Sequence, residues 1–303
     1  MSVSVSALSP SPSSSAPSSP APSSRAGLSA ALRLGAVHLR TRRPQALAAF
    51  YEQVVGLTRL APQAGRIALG AGGVPLIVLE EAADAVAPPA HAPGLFHTAI
   101  RVPDRASLAV RMNVLRAHGV PFGASDHLVS EALYFDDPDG NGIEVYRDRP
   151  KAEWFGPDGK LQMATLRLDL NSLARESAEL GPAPAGTDVG HVHLKVGDLA
   201  AAHRFWVELA GFEVMARYPG ALFVSAGKYH HHLGLNVWHS QGAAPPPAHA
   251  SGLAGFEIVL PPAEIAALKA RFAAAGVPLA EVDGAVLLED PSGNRARITA
   301  GEG

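Results

Sequence analysis

Residues 35–40 read GAVHLR and residues 190–195 read GHVHLK. The match is not isolated: Phe50-Tyr51 stands to Phe205-Trp206, Gly56 to Gly211, and Ala71-Gly72 to Ala226-Gly227, all at one offset of 155 residues. Self-similarity at a fixed offset constrains architecture in a way that single motifs do not. Further along, Ile100-Arg101-Val102-Pro103 pairs with Ile258-Val259-Leu260-Pro261 and Gly119-Val120-Pro121 with Gly276-Val277-Pro278. Asp137-Pro138-Asp139-Gly140-Asn141 pairs with Asp290-Pro291-Ser292-Gly293-Asn294, and the offset drifts by a few residues, as loop insertions and deletions produce.

Each half divides again. The order strand, amphipathic helix, three strands recurs over about 34–81, 95–148, 189–239 and 253–300. The helices are legible in PQALAAFYEQVV, RASLAVRMNVLRAHG, LAAAHRFWVELAG and PAEIAALKARFAAAG, where apolar residues recur at intervals of three and four and Gly closes or follows several of them. The expectation is an α+β protein of four βαβββ modules: a first domain at 31–149, a connector at 150–187 around the strand-like MATLRLDL, and a second domain at 188–303.

Composition narrows the function classes. A net charge of −3 offers no basic face for a nucleic-acid backbone, so a nucleic-acid partner is not expected. With no cysteine, disulfide scaffolds and thiolate chemistry are excluded, and any transition-metal site must draw on the 13 histidines and on carboxylates. The Ser/Pro/Ala-rich residues 1–30 are expected to be disordered and lack the apolar core of a secretory signal, although a Ser-rich, acid-poor transit peptide has a similar composition. No apolar run reaches the roughly 18 residues needed to span a bilayer, so a cytoplasmic protein without a membrane partner is expected.

Residues 124–146, ASDHLVSEALYFDDPDGNGIEVY, place Glu144 among Ile143, Val145 and Tyr146 on a strand that follows a dense turn. An unpaired carboxylate there is costly and calls for compensation. Four βαβββ modules resemble the vicinal oxygen chelate superfamily (glyoxalases, bleomycin resistance proteins and extradiol dioxygenases), whose paired modules curl into two open barrel-like domains. The stretch His127, Leu133-Tyr134, Asp137-Pro138, Gly140, Glu144 resembles the extradiol ring-cleavage signature, with Ser125 departing from it, and the whole chain looks most like two-domain catechol 2,3-dioxygenases.

The resemblance implies that Glu144 is a metal ligand, with one His from the first strand of each of two paired modules. At the first-strand position stand His38, His97, His193 and Gly255; at the Glu position stand about Ile77, Glu144, about Asn236 and Arg297. Only the second module supplies both. The family's acid/base pattern, His, any residue, apolar, small, apolar, fits His231 to Leu235 and finds no match in VPLIVLEE of the first module. This favours a site across modules two and three with His97, Glu144 and His193 on the metal, and His38 as a hydrogen-bonded core residue. In the run His230 to His232, alternation along a strand is expected to keep the three rings from converging.

The resemblance further implies Fe(II), or Mn(II) as the alternative, a small aromatic diol and dioxygen as reactants, and association into a homo-oligomer. His231 would be the acid/base, with His127 and Tyr134 bonding the substrate oxygens. The alternatives are a metal-dependent glyoxalase-like isomerase or lyase, against which Ile77 at a second carboxylate position argues, and a non-catalytic binding protein of the same fold.

Overall fold

The computed structural model describes residues 27–62 and 65–301, so all but the last four residues of the segment expected to be disordered lie outside the described residues. Four βαβββ modules follow. The first comprises β1 (Arg33–Thr41), α1 (Pro44–Phe50) running into a π-helical turn at Tyr51–Val55, β2 (Thr58–Arg59), β3 (Arg66–Ala71) and β4 (Val74–Glu81). The second comprises β5 (Gly94–Arg101), α2 (Arg105–Ala117), β6 (Gly123–Asp126), β7 (Ser130–Asp136) and β8 (Gly142–Asp148). The region expected to connect the halves holds β9 (Leu166–Arg167) and α3 (Leu170–Ala174). The third module is β10 (Asp188–Lys195), α4 (Leu199–His203) with its own π-helical turn at Arg204–Leu209, β11 (Glu213–Tyr218), β12 (Ala221–Ser225) and β13 (Leu233–Asn236). The fourth is β14 (Gly252–Leu260), α5 (Pro262–Ala274), β15 (Ala280–Val282), β16 (Ala285–Glu289) and β17 (Arg295–Ala300).

The strands form two curled sheets, and neither follows the halves of the sequence. One runs β15-β16-β17-β14-β1-β4-β3-β2 and joins modules one and four; the other runs β11-β12-β13-β10-β5-β8-β7-β6-β9 and joins modules two and three. The seams are antiparallel pairings of first strands, β1 with β14 and β10 with β5. The helices cover one face of both sheets, where Leu47, Leu108, Met112, Trp206, Leu268 and Phe272 share a continuous core with Val37, Ile100, Val192 and Ile258 of the first strands.

Within each half the modules are tied by one repeated device. The Asp137 carboxylate accepts from the backbone N–H groups of Asp139 and Asn141, closing the turn before β8, and from the hydroxyl of Tyr51 in the first module. Asp290 does the same with Ser292 and Asn294, and accepts from Trp206 Nε1 in the third. Burial pushes both carboxyls up, and these hydrogen bonds oppose it. The repeated Asp-Pro turn and the repeated aromatic pair are thus two ends of one contact.

A candidate metal centre between the second and third modules

Two helix starts position the histidines. Asp104 caps α2 by accepting from Ser107 N, and Asp198 caps α4 by accepting from Ala200 N and Ala201 N. His97 stands seven residues before Asp104 and His191 seven before Asp198, so each occupies the same place on its first strand. β5 lies between β10 and β8, with Ala99 opposite His191 on one side and opposite Glu144 on the other. Residues two apart share a face of a strand, so His97, His191 and Glu144 all project on the side away from the helices.

The donor atoms converge. Glu144 Oε2 is 2.9 Å from His191 Nε2 and 3.0 Å from His97 Nε2, and the two nitrogens are 3.4 Å apart. Adjacent ligands of an octahedral ion with bonds of about 2.1 Å are separated by about 3.0 Å, so these three atoms can hold one face of such an ion. Both imidazoles and the carboxylate are buried, and they form a group able to hold a metal. Burial alone would raise the Glu144 carboxyl, but the neighbouring His191 and His97 hold it well below its ordinary range. Burial lowers His191 to about 4, against the pull of Glu144. An ionised carboxylate beside a neutral imidazole is the protonation state in which both can coordinate.

His193, expected in this group, is displaced from it by two residues. It shares the face with His191, but its ring packs against Phe96 and Trp238, and its Nε2 accepts from the Asn236 amide at 3.0 Å. The 155-residue repeat matches His193 with His38 across the halves, whereas the seven-residue count back from the capping aspartates singles out His191. The register also moves the positions equivalent to Glu144: Val78, not Ile77, faces His38, and Gly234, not Asn236, faces His193.

His127, Tyr134 and His231 line the same cavity, of about 320 Å³, with Phe96, Phe223 and Trp238 as its aromatic walls. His127 Nδ1 donates to the Ala164 carbonyl at 2.8 Å, which leaves Nε2 to accept from the Tyr134 hydroxyl at 2.7 Å. Burial and the Glu144 charge keep the Tyr134 phenol well above its ordinary range, hence protonated. His230 to His232 are not on a strand as expected. They follow a turn in which Lys228 adopts a positive φ of 56° and precede β13. His231 faces the cavity, His230 is fully buried beneath it, and His232 turns to Ser225 and the Ala226 N–H.

His38 lies on the other sheet, hydrogen-bonded between Glu257 at 3.0 Å and Glu80 at 3.4 Å. The positions there that correspond to His191, His97 and Glu144 are Ala36, Gly255 and Arg297, so the pseudo-equivalent cleft lacks the three ligand types.

The profile of the Glyoxalase/Bleomycin resistance protein/Dioxygenase superfamily matches residues 33–145 and 188–298. The chain belongs to this superfamily. A catechol-2,3-dioxygenase of Bacillus subtilis (strain 168) is 40% identical over 266 residues, spanning 85% of this chain and 93% of the relative. The superfamily fold extends to glyoxalase I from Zea mays (TM-score 0.55, 15% identity, 89% of this chain and 92% of that one) and to the cppA protein from Streptococcus pneumoniae TIGR4 (TM-score 0.54, 10% identity, 89% and 100%). Among the described residues, no helix is long and apolar enough to cross a membrane.

Proposed function

We propose that this protein is an extradiol dioxygenase that cleaves the ring of catechol or a substituted catechol beside its diol. His97, Glu144 and His191 would hold Fe(II), or Mn(II) in its place. The observation that carries the reading is the convergence of these three buried donors at the floor of a small aromatic cavity bordered by His127, Tyr134 and His231. The 40% identical relative carries the name of this activity. The cavity volume of about 320 Å³ is at the small end of ligand pockets and suits a single ring. A bound divalent iron or manganese would supply Lewis acidity and an electronic path between diol and dioxygen.

The chain's own residues would do the rest. Phe96, Phe223 and Trp238 hold the ring and exclude water. His231 takes the proton of a substrate hydroxyl and returns one later, and the Tyr134–His127 pair hydrogen-bonds the oxygens on which charge develops. The carbon–carbon bond next to the diol breaks and both oxygen atoms of dioxygen enter a ring-opened semialdehyde acid. A glyoxalase-like isomerase would use a second carboxylate opposite Glu144, and the position related to it by symmetry in this site is Gly234. Cytoplasmic location and a homo-oligomeric state belong to the same proposal.

The test is anaerobic reconstitution with Fe(II) or Mn(II), then oxygen uptake with a panel of catechols. A yellow product formed with one dioxygen consumed per catechol is expected. Oxygen-independent turnover, or zinc-dependent activity with no gain on adding Fe(II) or Mn(II), would defeat the proposal.

A further inference from the structure

Beneath His231 lies a chain of hydrogen bonds that the proposed reaction does not itself require. His230 is fully buried, and its two ring nitrogens are both engaged: Nε2 is 2.8 Å from Asp148 Oδ1 and Nδ1 is 2.8 Å from His231 Nδ1. Asp148 is anchored in turn, its Oδ2 accepting from Arg101 Nη1 at 3.0 Å and from the Tyr229 hydroxyl at 3.0 Å. Tyr229 also meets Tyr146 at 2.6 Å.

The donors and acceptors can be assigned in order. An ionised carboxylate only accepts, so the hydrogen between Asp148 and His230 sits on His230 Nε2. With His230 neutral, its other nitrogen is an acceptor, so His230 Nδ1 accepts and His231 Nδ1 donates. The opposite tautomer of His231 would set two nitrogen lone pairs against each other at 2.8 Å. The remaining nitrogen of His231, Nε2, therefore carries its lone pair on the part of the ring not held by His230, and His231 borders the cavity.

We infer that Asp148 and His230 are positioning residues that fix His231 as its Nδ1–H tautomer, so that it presents an unprotonated Nε2 to the hydroxyl of an incoming aromatic diol. This rests on the proposed role of His231 and adds what sets its direction of proton transfer. Which tautomer a histidine adopts is decided by the hydrogen bond its other nitrogen makes, and an inverted tautomer removes a general base without moving its ring.

Asp148→Asn tests the assignment because Arg101 dictates how the amide must sit. Arginine only donates, so the amide oxygen must take the Oδ2 place beside Arg101, and the NH2 group must face His230 Nε2. His230 then becomes the Nδ1–H tautomer and His231 the Nε2–H tautomer. The measurement is long-range 15N–1H NMR of the histidine rings in the full-length chain, 15N-labelled at histidine and loaded with diamagnetic Zn(II), alongside steady-state kinetics of the iron-loaded protein.

In the wild-type protein His231 is expected as Nδ1–H, and in Asp148→Asn both rings are expected to invert. The variant should lose about 100-fold or more in kcat with little change in KM and with metal content unchanged. A wild-type His231 protonated on Nε2 overturns the inference without any variant, as does an Asp148→Asn spectrum with both tautomers unaltered. If the tautomers behave as expected but His231→Gln retains full activity, the acid/base role of His231 fails while the assignment of the pair stands. The two failures are therefore distinguishable.

Discussion

His38 permits a prediction of stability against pH whose sign and size both follow from its two carboxylate partners. Burial alone would lower its pKa, but hydrogen bonds to Glu257 and Glu80 and their charges outweigh burial and raise it from 6.5 to about 9. The hydrogen bonds to His38 hold both glutamates below their ordinary range, helped by Arg66 and Arg40 near Glu80 and by Arg297 near Glu257. A group protonated more tightly in the folded than in the unfolded state stabilises fully below the unfolded value and loses that contribution as pH rises through the folded one. Here the window runs from about 6.5 to about 9.

At about 1.36 kcal/mol per pKa unit the contribution would reach about 3 kcal/mol. The His38 side chain is 17% exposed and its partners 23% and 31%, so solvent screening reduces this to about 1–2 kcal/mol. The assay is urea unfolding of wild type and His38→Gln at pH 6, 7.5 and 9.5. Taking the difference between the two proteins cancels titrations they share. The wild-type advantage should be about 1–2 kcal/mol larger at pH 6 than at pH 9.5, with Tm differences narrowing by a few degrees. A difference that is flat across this range, or that grows with pH, would refute the claim that His38 is held protonated between Glu80 and Glu257.

Three further outcomes are expected. His191→Ala should lower Fe(II) or Mn(II) affinity by more than 100-fold in a metal-binding titration, because removing a ligand costs more than the roughly 10–100-fold of an outer residue, whereas His193→Ala and His38→Ala should retain one ion per chain; loss of the ion in His193→Ala alone would reverse the assignment. Tyr134→Phe should cut kcat by about 100-fold, as removal of a charge-stabilising donor does, with metal content unchanged, and full activity in that variant would remove Tyr134 from the reaction. Asp290→Ala strips a buried acceptor from Ser292 N, Asn294 N, Asn294 Nδ2 and Trp206 Nε1. It should cost about 2–4 kcal/mol in chemical denaturation, and a loss under 0.5 kcal/mol would show that the turn closes without it.

The modules were legible because each carries its own punctuation: an apolar strand, a capped or proline-initiated helix, and a glycine-containing turn before the last strand. These are local, and the 155-residue repeat copies them. His97 and Glu144 were legible as members of one module that holds both residue types. His191 was not, because two histidines of GHVHLK lie on one face of β10, and only the strand register against β5 and the distance to the Asp198 cap tell them apart. The bend at His230 to His232 was hidden for a different reason: HHHLGLN alternates well enough to read as strand throughout, while the left-handed Lys228 before it belongs to a residue type that carries no turn signal. Asp148 entered no motif, since its link to His231 through His230 runs across 83 residues (231 − 148) and exists only once β8 and the turn before β13 are stacked.

The exchange of modules between the two sheets bears on how the chain comes off the ribosome. Gly255, the partner of His38 across the β1–β14 seam, lies 217 residues later (255 − 38), and His193, opposite His97, lies 96 later (193 − 97). The first half therefore emerges with β1 and β5 each lacking a neighbour along one side, and such open strands are templates for association with the wrong chain. Because so much of the pairing is distant in sequence, closure is slow relative to helix formation. Nascent chains of this length should be at their most aggregation-prone after the second module is complete and before β10 has been synthesised, and a pause in translation within the connector would lengthen that exposure without changing a single residue of the finished protein.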